Sequence, residues 1–266
     1  MNAIGWGDPA YKDTYSYLVY LRLFHNKLWR EYINEYESEH VFYHNLLKGI
    51  NNCLVFDVGA NGGFKTNIFR RLAGKVVCVE PDLHNFNHLR KRFMRHADVI
   101  LVGNAVGDKQ GKEVFYCDKP GSALNTLSKK WKDGLKRNEV IRFKEEEHAF
   151  SKEYLVDVVT LDMLIKQYGL PYYIKIDVEG YELNVLKGLS SCVNVISFEV
   201  NLPEFKAETI ECVSILNNLC GNYKFNVAVE LNNDLFKFNN WMNSAEFKNF
   251  IAITSMEYFE VFAHLS

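Results

Sequence analysis

An apolar run that stops at an acid and enters a glycine-rich bend, Leu54-Val55-Phe56-Asp57-Val58-Gly59-Ala60-Asn61-Gly62-Gly63-Phe64, limits the possible folds more than any other stretch. Cys53 to Val58 is short, apolar and rich in β-branched and aromatic residues, as in a strand buried on both faces of a parallel sheet. Gly59, Gly62 and Gly63 permit positive φ and carry no Cβ, so the backbone can turn sharply and a ligand can lie against it. Phe64, Ile68, Phe69 and Leu72 then recur at helical spacing, and Lys75 to Glu80 reads as a second strand. Strand, bend, helix and strand make a βαβ unit. Glu80 follows Gly59 by 21 positions, where an acid can accept hydrogen bonds from both ribose hydroxyls. A nucleoside is therefore expected at this bend, the competing reading being a glycine turn with no ligand.

A dinucleotide site needs G-x-G-x-x-G, and Asn61 and Phe64 stand where its second and third glycines belong. A pyrophosphate is disfavoured, and the extra acid at Asp57 would repel one. Asp57 suits a ligand bearing an ammonium group. Adenosine joined to an amino acid meets both conditions, which points to S-adenosylmethionine. An NAD-dependent oxidoreductase shares the fold class and stays as a weaker alternative, and a non-catalytic nucleoside-binding module as another.

The 266 residues suffice for one α/β domain with additions. With 31 basic and 33 acidic residues, the net charge of -2 exerts no general pull on nucleic acid or anionic membrane, so neither is expected as a partner. The six cysteines, at 53, 78, 117, 192, 212 and 220, form no C-x-x-C pair or zinc spacing. Several fall in predicted strands as small hydrophobes, and a reducing compartment is expected. The N-terminus has no signal-peptide pattern and Thr14–Leu21 is too short to span a bilayer, so the expectation is a soluble, cytoplasmic protein.

Residues 1–50 read as a loose lead-in followed by one or two amphipathic helices, forming a helical extension before a domain over 51–266. A basic run, Arg90, Lys91, Arg92 and Arg95, reads as a solvated helix end. Asp98–Val102 is a third strand, and Asn104, Ala105 and Val106 follow it in a loop suited to reading and packing on an adenine. Residues 118–152 break the pattern and fit an insertion or mobile cover, with Trp131 read as a surface residue slightly in preference to a substrate contact. Further strands end at Asp177 and at Glu199, so with Asp57 and Glu80 four strands present acids at one sheet edge, the ligand edge of a parallel sheet. A helix is expected over 204–220, a strand over 223–230, and strand-like segments from Phe250 to Phe262.

Six motifs arrive in order: Phe56–Gly63, Val79-Glu80-Pro81, Asn104-Ala105-Val106-Gly107-Asp108, Val159-Thr160-Leu161-Asp162, Lys175-Ile176-Asp177-Val178-Glu179-Gly180-Tyr181-Glu182 and Val185-Leu186-Lys187-Gly188. Together they resemble the FkbM family of S-adenosylmethionine-dependent methyltransferases over about residues 52–202. The resemblance implies the class I, Rossmann-like methyltransferase fold: a doubly wound α/β sheet of about seven strands with the last one antiparallel. It also implies O-methylation of a hydroxyl, often on a sugar or natural product. Carried onto this chain, it places Asp57, Gly59, Ala60 and Asn61 at the aminoacyl end of the cofactor, Glu80 on the ribose and Asn104, Ala105 and Val106 at the adenine. Asp177 falls near the methionine part or the methyl, with Glu179 and Glu199 on the acceptor side.

Methyl transfer from a sulfonium is an in-line displacement, and an alcohol acceptor must lose its proton to a base. Asp177 or Glu199 is the expected base, with Glu179 and Lys175 orienting it; neighbouring carboxylates raise one pKa towards neutrality. The alternative reading is that Asp177 and Glu179 cap the helix that begins near Gly180, and the two roles are compatible. No catalytic metal is expected, because Asp177 and Glu179 lack an evident third ligand. The acceptor is expected to be a small molecule or saccharide.

Overall fold

A computed structural model of the chain describes residues 15–50, 52–143, 147–229 and 236–266. Two helices, α1 (Tyr15–Phe24) and α2 (Asn26–Leu46), precede the sheet. The chain then runs β1 (Leu54–Val58), α3 (Phe64–Leu72), β2 (Lys75–Val79), α4 (Leu83–Phe93), β3 (Val99–Val102), β4 (Ala105–Val106) and β5 (Gly111–Cys117). After α5 (Lys129–Lys136) and a 3-10 turn at Ile141–Phe143 come β6 (Lys152–Val159), α6 (Leu161–Tyr168), β7 (Tyr173–Ile176) and α7 (Glu182–Lys187). The chain closes with β8 (Val195–Asn201), α8 (Lys206–Cys220), β9 (Tyr223–Ala228), α9 (Ser244–Ile253) and β10 (Tyr258–Leu265).

Seven strands form one sheet in the order β3-β2-β1-β7-β8-β10-β9, with β10 antiparallel to both neighbours. This is the class I methyltransferase order, with its reversed last strand. A smaller sheet, β4-β6-β5, flanks it.

Side chains alternate across each strand, so each face of the large sheet has its own character. Phe56, Val58, Ile174, Ile176, Ile196 and Phe198 build the larger core on one face. On the other, β7 presents Tyr173 and Lys175 and β8 presents Val195, Ser197 and Glu199. That face begins apolar, where Val55, Tyr173, Val195 and Phe262 meet Phe42 and Tyr43 of α2, and turns polar towards the carboxyl edge. Phe42 and Tyr43 are fully buried; side chains of that size contribute about 1.5–3 kcal/mol each. They clamp α2 to the sheet and hold its middle turns, Asn34 to Glu39, over the polar end.

Three expectations need correction. Phe250 lies in α9, not in a strand: Asn243 and Glu246 form a capping box and Phe247 and Ile251 bury one side of the helix. Trp131 is fully buried rather than on the surface, packed with Leu135, Val140, Phe150 and Phe205. Cys192 and Cys220 form a disulfide joining the segment before β8 to the end of α8, while Cys53, Cys78, Cys117 and Cys212 are free and buried. Of the expected elements, residues 1–14 of the lead-in and N-terminal extension, residue 51, residues 144–146 of the 118–152 stretch and residue 230 lie outside the described residues. Among the described residues, no helix is long and apolar enough to cross a membrane.

Candidate active site

The bend after β1 is held by β2. Gly59 and Ala60 N–H groups both donate to the Val79 carbonyl at 3.0 Å, and Arg92 reaches back to the Gly62 carbonyl at 2.7 Å. Gly59 has φ +82° because the end of β7 lies against it: a Cβ there would stand 1.7 Å from the Asp177 carbonyl oxygen. Asn61, also left-handed at φ 47°, aims its N–H at Glu80.

Glu80 is fixed at both oxygens, accepting from Asn61 N–H at 2.7 Å and Asp82 N–H at 2.8 Å. Burial pushes its carboxyl up to about 8, against the pull of these two donors. Each oxygen keeps a second lone pair for a ligand hydroxyl.

A cleft opens beside it, walled by Gly59, Asn61 and Glu80 on one side and by Asn104, Ala105 and Val106 on another. Phe115, Leu127, Val178 and Tyr181 add an apolar slot. Ser122, Asn125 and Thr126 also line it, and sequence reasoning missed them; the polar run after Pro120-Gly121 was the available signal. This loop is bonded in place. Asp82 caps α4 through His84 N–H at 2.7 Å and also accepts from Asn125 Nδ2 at 2.6 Å. Thr126 Oγ1 donates to the Glu179 carbonyl at 2.8 Å.

Asp57 and Ala60 are not on this wall. Strand alternation turns Asp57 to the opposite face, where Thr66 Oγ1 donates to Oδ2 at 2.5 Å and Oδ1 has no hydrogen-bond partner. Ala60 is buried against Cys78, Leu89 and Phe93, and shapes the bend rather than touching the cleft. A direct contact of Asp57 with a ligand ammonium is therefore replaced by a supporting place beneath the bend, beside Lys175 in the β1–β7 register.

At the carboxyl edge, Lys175 Nζ donates to Asp177 Oδ2 at 2.6 Å. Burial alone would lower the Lys175 pKa, but Asp177, Glu260 and Asp57 outweigh it and hold the lysine well above its usual range. Lys175 is thus a fixed cation. Burial, then the Asp177 charge, push Glu199 up to about 7, moderated by Tyr258 and by Arg142, whose Nη1 lies 3.5 Å from Oε1. Glu179 rises well above the usual range through burial and the charges of Glu199 and Asp177.

Asp177, Glu179 and Glu199 each offer an oxygen within 4.8 Å of the others. The fold thus supplies the third carboxylate that the sequence did not reveal, a set able to hold a hard cation. Two protein cations, Lys175 and Arg142, already face it. The capping alternative for Asp177 and Glu179 does not hold: Tyr181 is the N-cap of α7, with no side-chain bond, and Glu182 instead accepts from Val178 and Gly180 N–H at 3.3 and 3.1 Å.

Raised acids make the protein's stability fall with pH. Glu80, Glu182 and Glu199 have folded pKa values of about 8, 8 and 7, against about 4.3 in an unfolded chain. The folded state therefore binds more protons, and the stability these groups contribute, full below about pH 4, is lost as pH rises through 7–8. The midpoint of thermal unfolding of the ligand-free protein is expected to fall between pH 5.5 and 8.5; a flat or rising midpoint would contradict the assignment.

A family model described as the methyltransferase FkbM domain matches residues 57–248. The chain belongs to the FkbM methyltransferase family. No curated protein sequence matches it. Solved structures with a similar arrangement include a precorrin-6y C5,15-methyltransferase from Geobacter metallireducens GS-15, with 10% identity and a TM-score of 0.44 over 87% of this chain and 86% of that one. Others are tRNA (m1A58) methyltransferase TrmI from Aquifex aeolicus (13%, TM-score 0.40, 85% and 68%) and a putative O-methyltransferase from Klebsiella pneumoniae (10%, TM-score 0.38, 86% and 80%). The FkbM match covers the bend, Glu80, the Asn104–Val106 wall and the Asp177–Glu199 edge, while α2 and β10 lie outside it.

Proposed function

We propose that this FkbM protein transfers a methyl group from S-adenosylmethionine to a hydroxyl oxygen of a sugar or small natural product. One observation carries the reading: Asp177 lines both the cleft beside Glu80 and a second cavity, which also contains Glu199. A methyl donor in the first and an alcohol in the second would meet at that carboxylate edge.

The cleft fits the cofactor by its donor set. Glu80 has acceptor capacity for two ribose hydroxyls, and Val106, Phe115 and Leu127 offer apolar contact to a purine. Among the described residues no lysine or arginine lines the cleft, so a pyrophosphate finds no countercharge there, which weighs against a dinucleotide. When bound, S-adenosylmethionine supplies an electrophilic methyl on a sulfonium. Glu199, with its pKa near neutrality, takes the acceptor proton, while Lys175 holds Asp177 in place through a 2.6 Å contact and Arg142 and Tyr258 orient Glu199.

Calorimetric titration with S-adenosylmethionine and S-adenosylhomocysteine tests the cofactor. Both are expected to bind saturably, and Glu80→Ala to weaken each about 10- to 100-fold, since it removes two ribose hydrogen bonds of roughly 0.5–1.5 kcal/mol each. NADH binding in their absence would restore the oxidoreductase reading. No binding to the folded protein would favour a non-catalytic module.

A further inference from the structure

Both N-terminal helices precede the region matched by the FkbM family, and the corner between them carries an apolar surface that the chain does not cover. Along α2, Leu28, Glu35 and Phe42 are spaced by two turns and share one side of the helix. Phe42 is fully buried on the sheet and Glu35 lines the second cavity. Leu28, about 10 Å further along the axis from Glu35, is 50% exposed. α1 packs back against α2, and at the corner Leu23 and Phe24 are 68% and 70% exposed. Val19, one turn before Leu23 on the same side, is exposed as well. A single exposed apolar side chain needs no explanation, but four between residues 19 and 28 form a patch, and patches of this kind mark interaction surfaces.

The rim of the patch is basic. Between Val19 and Arg30 the chain has three cations, Arg22, Lys27 and Arg30, and no acid. All three are exposed, and Arg22 lies 5.6 Å from the centroid of the Trp29 ring, at the contact of the two helices. Glu31 stands 3.9 Å from Lys27 with both side chains open to water, a pair that contributes little and is screened by salt. Among the described residues, neither arginine is paired with a carboxylate. The net charge of -2 belongs to the whole chain, whereas this corner is cationic.

We propose that the α1–α2 corner docks on an anionic lipid surface, with Leu23, Phe24 and Leu28 entering the interface and Arg22, Lys27 and Arg30 meeting the headgroups. Leucine and phenylalanine flanked by arginine and lysine, with a tryptophan beside them, are the composition of helices that lie in a membrane interface. Anionic headgroups attract such basic segments within a Debye length. A second copy of the chain suits the patch less well, because a two-fold contact would set its three cations against the same three. Docking brings the bilayer surface to within about 10 Å of Glu35 along α2. Resting on the methyltransferase reading above, the docked enzyme would then draw its acceptor hydroxyl from a saccharide carried at the membrane surface.

Sedimentation of the full chain with vesicles tests the docking without any acceptor. Phosphatidylcholine vesicles carrying about 30% phosphatidylserine are expected to bind it at least about tenfold more tightly than phosphatidylcholine alone, and raising the salt from about 0.1 M to about 0.5 M should remove most of that difference. Leu23→Ser combined with Phe24→Ser should weaken binding to the anionic vesicles about tenfold or more, and Arg22→Gln combined with Arg30→Gln about fivefold or more. These side chains are exposed, so the unfolding midpoint and the S-adenosylhomocysteine affinity should stay unchanged in both variants. No binding to either vesicle, equal binding to both at low salt, or variants that bind like the parent would each overturn the proposal. Concentration-dependent dimers in light scattering, abolished by the serine variant of a protein that ignores vesicles, would give the patch to a second copy instead. Vesicle binding by a protein that does not bind S-adenosylhomocysteine would leave the docking intact and remove the methyltransferase reading; the reverse pattern would do the opposite.

Discussion

Glu199→Gln is expected to lower the rate of methyl transfer by roughly 10²–10⁴-fold, the usual contribution of a positioned general base, while leaving S-adenosylmethionine affinity near that of the parent. The residue is placed for this role by β8, whose alternation puts Ser197 and Glu199 on the polar face, and by Arg142 and Tyr258, which hold the carboxylate. Glutamine keeps the shape and loses the base. Asp177→Asn should act differently. It removes the partner of Lys175, leaving a buried ammonium beside Asp57 and Glu260, so it should reduce stability as well as rate.

The pH profile separates the two carboxylates. With a carboxyl titrating at about 7, kcat/KM should rise with pH through neutrality and level off above it, because only the ionised form accepts a proton. In Glu199→Gln that limb should disappear from the residual activity. A profile unchanged by the substitution would assign the base elsewhere, with Asp177 next in line.

How much of this was legible before the fold was known follows from the range of each interaction. The bend and Glu80 were readable because strand, glycines and helix are contiguous and the acid falls within one βαβ unit. Which way Asp57 points was not: the run Cys53–Val58 is apolar on both sides of the acid, so its pattern does not say which face carries α3 and Thr66. Glu35 and Glu39 lie in a helix whose spacing shows only amphipathicity; their place over the cavity depends on Phe42 and Tyr43 docking on a sheet formed later in the chain. Trp131 sits among lysines, and its burial is decided by Phe150 and Phe205, far along the sequence. Cys192 and Cys220, 28 residues apart, are paired by the return of α8 along the sheet, a distance no local spacing rule covers. Asp177, Glu179 and Glu199 show the same limit in reverse: each was visible at a strand end, but their convergence within 4.8 Å needed β7 and β8 side by side.

Gly59→Ala should be the most damaging single methyl in the protein. A Cβ at this position would meet backbone, at 1.7 Å from the Asp177 carbonyl oxygen and 2.7 Å from its carbon, and no rotamer change relieves that. Its φ of +82° adds the strain of a left-handed conformation, about 1–2 kcal/mol for a residue with a side chain. Relief requires β1 and β7 to separate where Asp177 N–H donates to the Val58 carbonyl at 2.9 Å, the bond that sets the edge shared by cleft and cavity. The expected loss exceeds about 4 kcal/mol, in the range reserved for core disruption, and any folded fraction should bind S-adenosylmethionine poorly because Asn61 and Glu80 move with the bend. Gly62→Ala supplies the control three residues on: a Cβ there has nothing within 4 Å, so denaturant unfolding should shift by less than about 1 kcal/mol. Equal behaviour of the two variants would mean that the close approach of β7 to the bend is not what requires glycine at position 59.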